Sequence, residues 1–139
     1  MGLGSYGRMT KFDKSYALEL LMIAEQDLAS SKVLASHLQT GRIENVFFLA
    51  QQAVEKSLKA YLCHVHGEFP LVHDIGILLG KMDELPPRGY DLVTFSQFAG
   101  IRRYETGKAQ LDKEDVDAAI ETATEVTAWV RTRIESKAT

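Results

Sequence analysis

No stretch of this sequence alternates apolar and polar residues as a half-buried strand does, and no apolar run approaches the roughly 20 residues that a bilayer-spanning helix requires. No charged-then-apolar leader opens the chain, so a cytoplasmic protein without membrane attachment is expected. Its one cysteine, Cys63, excludes an intramolecular disulfide and fits a reducing compartment. A strong charge of either sign is also missing. Sixteen basic and 19 acidic residues leave a formal net charge of −3, too little to draw the whole molecule onto nucleic acid, so any such contact has to be local. There is no glycine-rich phosphate loop, no nucleophile elbow and no pair of helix-borne His-Glu motifs for a di-metal bundle.

What the chain has is helical periodicity. Ala17, Leu20, Leu21, Ala24, Leu28, Ser31, Ala35 and Leu38 trace one stripe over a long helix, with Asp13 or Ser15 placed to cap its start and Gly41 marking its end. A second long helix begins near Ile43, and so short a connection makes the two neighbours antiparallel. Gly67 stops it, Pro70 forces an extended link, and Asp74 opens a short apolar helix from Ile75 to about Met82 that Pro86, Pro87 and Gly89 close off. Leu92, Phe95, Phe98, Ala99 and Ile101 suggest a fourth, medium helix, bent or closely crossed at Gly100. A last helix spans about Asp112 to Ser136, with Val116, Ala119, Ile120, Ala123, Val126, Val130 and Ile134 facing inward. Acids at its start and Arg131, Arg133 and Lys137 at its end suit the helix dipole. The expected fold is all-α, an antiparallel up-and-down bundle of four main helices plus one short one, over residues 13–139. Residues 1–12, with Gly2, Gly4 and Gly7, read as a flexible lead.

The densest stretch is Phe47 to His66. Phe47, Ala50, Val54, Leu58, Tyr61 and Val65 make a core face, while Gln51, Glu55 and Lys59 fall four apart with Gln52 and Lys56 one position round. By pattern alone this row is a solvated face carrying the favoured Glu-to-Lys ion pair. The run Phe48, Gln51, Gln52, Ala53, Glu55, Lys56, Leu58, Lys59, Ala60, followed by His73-Asp74 and Arg103-Tyr104, resembles the HEPN family (higher eukaryotes and prokaryotes nucleotide-binding domain) over nearly everything from Lys14 onward. That resemblance implies the same helical bundle and an association with nucleotide or RNA. It also implies a homodimer working beside a small nucleotidyltransferase in a two-component, toxin–antitoxin-like pair.

Three constellations are candidates for chemistry. Gln52, Glu55, Lys56, Lys59, Arg103 and Tyr104 form the expected ligand-binding set. Lysine and arginine suit phosphate, the ring stacks on a base, and Glu55 orients the two lysines. The alternative is that Arg102 and Arg103 satisfy the last carbonyls of their helix or pair with Glu55. The second constellation is ribonuclease chemistry of the HEPN toxins, in which an arginine is followed four to six residues later by a histidine. No arginine and histidine here have that order and spacing, so a binding role is expected over catalysis, with His73 and Arg103 as the alternative catalytic pair of a metal-independent endoribonuclease. The third is a metal cluster of Cys63, His64, His66 and His73, which matches no tight zinc spacing; no metal and no cofactor are expected. His73-Asp74 also reads as a cap of the short helix, and Trp129 as core edge or interface. A dimeric assembly module without ligand is a further alternative.

Overall fold

The computed structural model describes residues 8–39, 42–89, 92 and 112–136. In chain order these form β1 (Met9–Lys11), α1 (Tyr16–Ala35), α2 (Ile43–His66), β2 (Glu68–Pro70), α3 (Ile75–Gly80) and α4 (Lys113–Glu135). The protein is an all-α bundle with one small ribbon attached.

α1 and α2 are an antiparallel hairpin, and three contacts show it. The Ser31 hydroxyl donates to the Val46 carbonyl at 2.8 Å, Lys56 reaches Asp27 at 2.6 Å, and the Cys63 thiol lies 3.4 Å from the Asp13 carbonyl. As numbers rise on one helix they fall on the other. The apolar stripes meet between them: Leu20, Leu21, Ala24 and Leu28 of α1 and Val54, Leu58, Tyr61 and Leu62 of α2 are buried, with Val126 and Val130 of α4 closing the core. A fully buried leucine such as Leu58 contributes about 1.5–3 kcal/mol relative to an exposed one. α3 adds Ile75 and Leu78 to the same core.

The helix ends follow local chemistry. Asp112 and Asp115 make a reciprocal capping box at the start of α4, and Asp74 caps α3 by accepting from the Ile77 amide at 3.1 Å. Gly67 ends α2 with φ +70°, a left-handed conformation that glycine adopts without steric cost. Asp13 stands ahead of α1 and accepts from both the amide and the hydroxyl of Ser15. α1 stops at Ala35, one turn short of the expected Leu38, where the Ser36 hydroxyl donates to the Val33 carbonyl and competes for the last turn.

One expectation differs from the structure. Not every segment is helical: Met9–Lys11, inside the segment read as a loose lead, pairs antiparallel with Glu68–Pro70 in the register Met9 to Pro70, Thr10 to Phe69 and Lys11 to Glu68. Three-residue strands are too short to display alternation, and this ribbon is held by an aromatic stack of Phe12 on Phe69 with ring centroids 4.2 Å apart. The expected fourth helix and Gly41 lie outside the described residues, except Leu92, which is buried in the core.

Paired charges tie the periphery to this core. Arg131 of α4 makes a two-pronged ion pair with Glu25 of α1 at 2.5 and 2.7 Å. Arg88, at φ 61°, bonds Glu121, Glu125 and Thr122, so one guanidinium bridges two carboxylates one turn apart on α4. Arg133 holds Glu84 through both oxygens and lies 4.4 Å over the Trp129 ring. Trp129 in turn stacks on Tyr61, which makes it core edge.

The Tyr61 hydroxyl donates to Glu84 at 3.1 Å, and burial first, then that carboxylate, push its pKa up to about 12 from 10.0. Because the folded value lies above the unfolded one, the neutral phenol's contribution to stability is complete below about pH 10 and is lost as pH rises toward 12. Phenolate absorbance should therefore show one of the five tyrosines titrating well after the others, with its midpoint lowered in Glu84→Gln. A single uniform transition near 10 would contradict the buried hydrogen bond.

Candidate ligand site on the second helix

α2 lies at the centre of the bundle, so its polar row cannot remain a solvated face. Glu55 is only 2 % exposed, and Lys59 is buried as well. Placing a carboxylate and an ammonium in the interior costs several kcal/mol per ion unless they pair. They do pair, Lys59 Nζ to Glu55 Oε2 at 3.0 Å, along the i,i+4 spacing that the sequence displays. The sequence alone gives no sign of the burial. The link before α3 reaches this buried pair through His73.

That link brings in a third member. The His73 ring Nδ1 stands 2.9 Å from the same Glu55 Oε2, while the His73 side chain is 88 % exposed. An ionised carboxylate only accepts, so Nδ1 carries the proton in this bond and Nε2 faces solvent. The other oxygen, Glu55 Oε1, and the Ser57 hydroxyl are buried, and neither has a hydrogen-bond partner among the described residues. A buried carboxylate oxygen left without a donor costs about 1–3 kcal/mol. The cap expected from His73-Asp74 is present and is made by Asp74, which leaves the His73 ring to Glu55.

The remaining predicted site residues divide. Lys56 does not turn toward Glu55; its ammonium pairs with Asp27 of α1 at 2.6 Å, so Glu55 orients one lysine and one histidine where two lysines were expected. The reason is geometric: Lys56 is one position round from Glu55 on α2, which turns it toward the antiparallel neighbour. Gln52 sits one turn earlier on the same side, half-buried. Arg102, Arg103 and Tyr104 lie outside the described residues. Sequence reasoning missed Asp27, a lone acid on α1 with no local partner pattern, and its only signal was the antiparallel register.

The cysteine and histidines considered for a metal are drawn apart. Cys63 is buried against the Asp13 carbonyl, and burial pushes its thiol pKa up, away from the thiolate that a metal needs. His66 approaches Asp83 at 3.3 Å and His73 is taken by Glu55. Among the described residues no three metal-binding side chains are grouped. No helix among them is long and apolar enough to cross a membrane.

A family model described as HEPN domain matches residues 17–133. The chain belongs to the HEPN domain family. The match spans α1 through nearly all of α4, including Glu55, Lys59 and His73. HEPN domains are associated with nucleotide or RNA binding and with ribonuclease activity. No curated protein and no solved structure matches this HEPN domain significantly.

Removing Lys59 leaves the buried Glu55 carboxylate with the His73 ring in place of a buried counter-ion. Lys59→Met should lower unfolding free energy in urea by about 3 kcal/mol, and Glu55→Gln combined with Lys59→Met should recover most of that loss. Equal losses in the single and double variants would show that the pair is solvated.

Proposed function

We propose that this HEPN domain binds a nucleotide or a strand of RNA over the polar row of α2. On this reading it acts as a homodimer beside a small nucleotidyltransferase, as one half of a two-component, toxin–antitoxin-like system. The observation that carries the binding reading is the charged pair Glu55 and Lys59 kept inside the bundle with an exposed imidazole fixed to it. A buried ion pair is a poor device for stability, since apolar residues of the same volume serve as well or better, and its retention points to a role for the charges. The residues assigned to the ligand are Gln52, Lys56, Lys59, Arg103 and Tyr104, with Glu55 orienting Lys59 and His73. In this assignment lysine and arginine meet phosphate, and the Tyr104 ring stacks on a base. The nucleotidyltransferase partnership rests on the resemblance of the α2 run to its family, a weaker warrant than site geometry.

A second reading is favoured by one contact. With Nδ1 bonded to Glu55, His73 presents Nε2 outward, the arrangement of a general base. In a metal-independent endoribonuclease, Nε2 would take the proton of a ribose 2′-hydroxyl. The 2′ oxygen would then attack the adjacent phosphorus, the bond from phosphorus to the 5′ oxygen would break, and that oxygen would take a proton from water. Arg103 is assigned to the charge that develops on the phosphate.

One experiment separates the two. Purified protein is titrated with ATP and with GTP by calorimetry, and in parallel incubated with labelled single-stranded RNA in the presence of chelator. Binding without cleavage, weakened about tenfold or more by Arg103→Ala, is the expected result. Cleavage that survives chelator and disappears in His73→Ala would establish the second reading. Neither binding nor cleavage would leave a dimeric assembly module.

A further inference from the structure

Among the described residues Phe48 is the one exposed phenylalanine, tyrosine or tryptophan, at 54 % exposure. The others there are buried or stacked: Phe12 lies on Tyr16 and Phe69, Tyr61 on Trp129, and Phe47 is in the core. Leaving a ring of this size in water forgoes the apolar burial that Phe47, its neighbour in the chain, obtains. The ion pairs that account for the polar row of α2 give this ring no role.

Its position does. At 3.6 residues per turn Phe48, Gln52, Glu55 and Lys59 lie within an arc of about 60° on α2, so the ring begins the same row that ends in the buried pair and His73. Exposure falls along that row, from 54 % at Phe48 through half-buried Gln52 to 2 % at Glu55. The row is open at Phe48 and closed at Lys59. Between the ends the Gln52 amide carries both donors and an acceptor, which suits a base edge or a ribose hydroxyl. Aromatic side chains take the unstacked bases of a single strand on their faces, whatever the base, and polar groups beside them bond base edges and ribose hydroxyls. From Phe48 to Glu55, which holds His73, is about 10 Å along the helix. A base lies closer than that to its own ribose, so a base on Phe48 and a ribose phosphate at His73 belong to different nucleotides.

We propose that Phe48 is the base-stacking residue at the open end of the α2 row. It takes the base of a nucleotide next to the one whose ribose phosphate is at His73, so full occupancy needs a single strand of at least two linked nucleotides. This rests on the binding reading above and adds to it a residue and a length requirement. A free nucleotide fills one end of the row only.

The probe is a short single-stranded RNA with 2′-O-methyl riboses and one 2-aminopurine, whose fluorescence falls when its base stacks on a ring; AMP is the single-nucleotide comparison. The unmodified protein should quench the probe and bind it about tenfold or more tightly than AMP. In Phe48→Ala the quenching and this advantage should both disappear, and Phe48→Trp should restore them. The position is exposed, so unchanged melting and unchanged sedimentation check fold and assembly in both variants. An advantage that persists in Phe48→Ala would overturn the role of Phe48 and leave the binding reading standing. Loss of the advantage together with altered sedimentation would make Phe48 a protein contact and overturn its role as well. Binding of neither the probe nor AMP would overturn the binding reading and the role of Phe48 together.

Discussion

Glu55 constrains everything built around it. A carboxylate with 2 % exposure in the middle of the central helix has to be satisfied, and two groups from different parts of the chain converge on one of its oxygens. Lys59 comes from the next turn of α2; His73 comes from the link that leads into α3. The link is thereby pinned onto α2, and Asp74, adjacent to His73, opens α3 at that spot with its cap. The path of the chain after the α1–α2 hairpin thus follows from one buried charge as much as from apolar packing.

Around that centre the charges are distributed in pairs and triplets. Arg131 with Glu25, Lys56 with Asp27, Arg133 with Glu84 and Arg88 with Glu121 and Glu125 each join two elements distant in sequence. Exposed pairs contribute little singly, about 0–1 kcal/mol. Their effect here is on geometry: they set how α1, α4 and the segment containing Arg88 lie relative to one another, and so keep the polar row of α2 facing a fixed surround.

The long helices were legible because each repeats its apolar period over about six turns; the stripe on α2 and the start of α4 near Asp112 are found where the sequence indicates them. The burial of Glu55 was not legible, because an i,i+4 Glu and Lys look the same on a solvated face and an interior one, and its third partner is 18 residues away. Asp27 escaped for a similar reason, since its partner is 29 residues distant. The ribbon escaped because three residues show no period. On α1 the pattern shows the core stripe, and the exposure of Leu18, Met22 and Val33 on the outside is seen in the structure alone. The family assignment was legible in the α2 run itself, and the matched span bears it out.

The Glu55 contact fixes His73 in one tautomer, with the proton on Nδ1. A long-range proton–nitrogen correlation spectrum of the imidazoles at a pH where His73 is neutral reads this directly. The structure predicts the proton on Nδ1 and a bare Nε2 for His73, reverting to the ordinary mixture in Glu55→Gln. A His73 signal that shows the Nε2-protonated tautomer in the unmodified protein, or that does not respond to Glu55→Gln, would contradict the account.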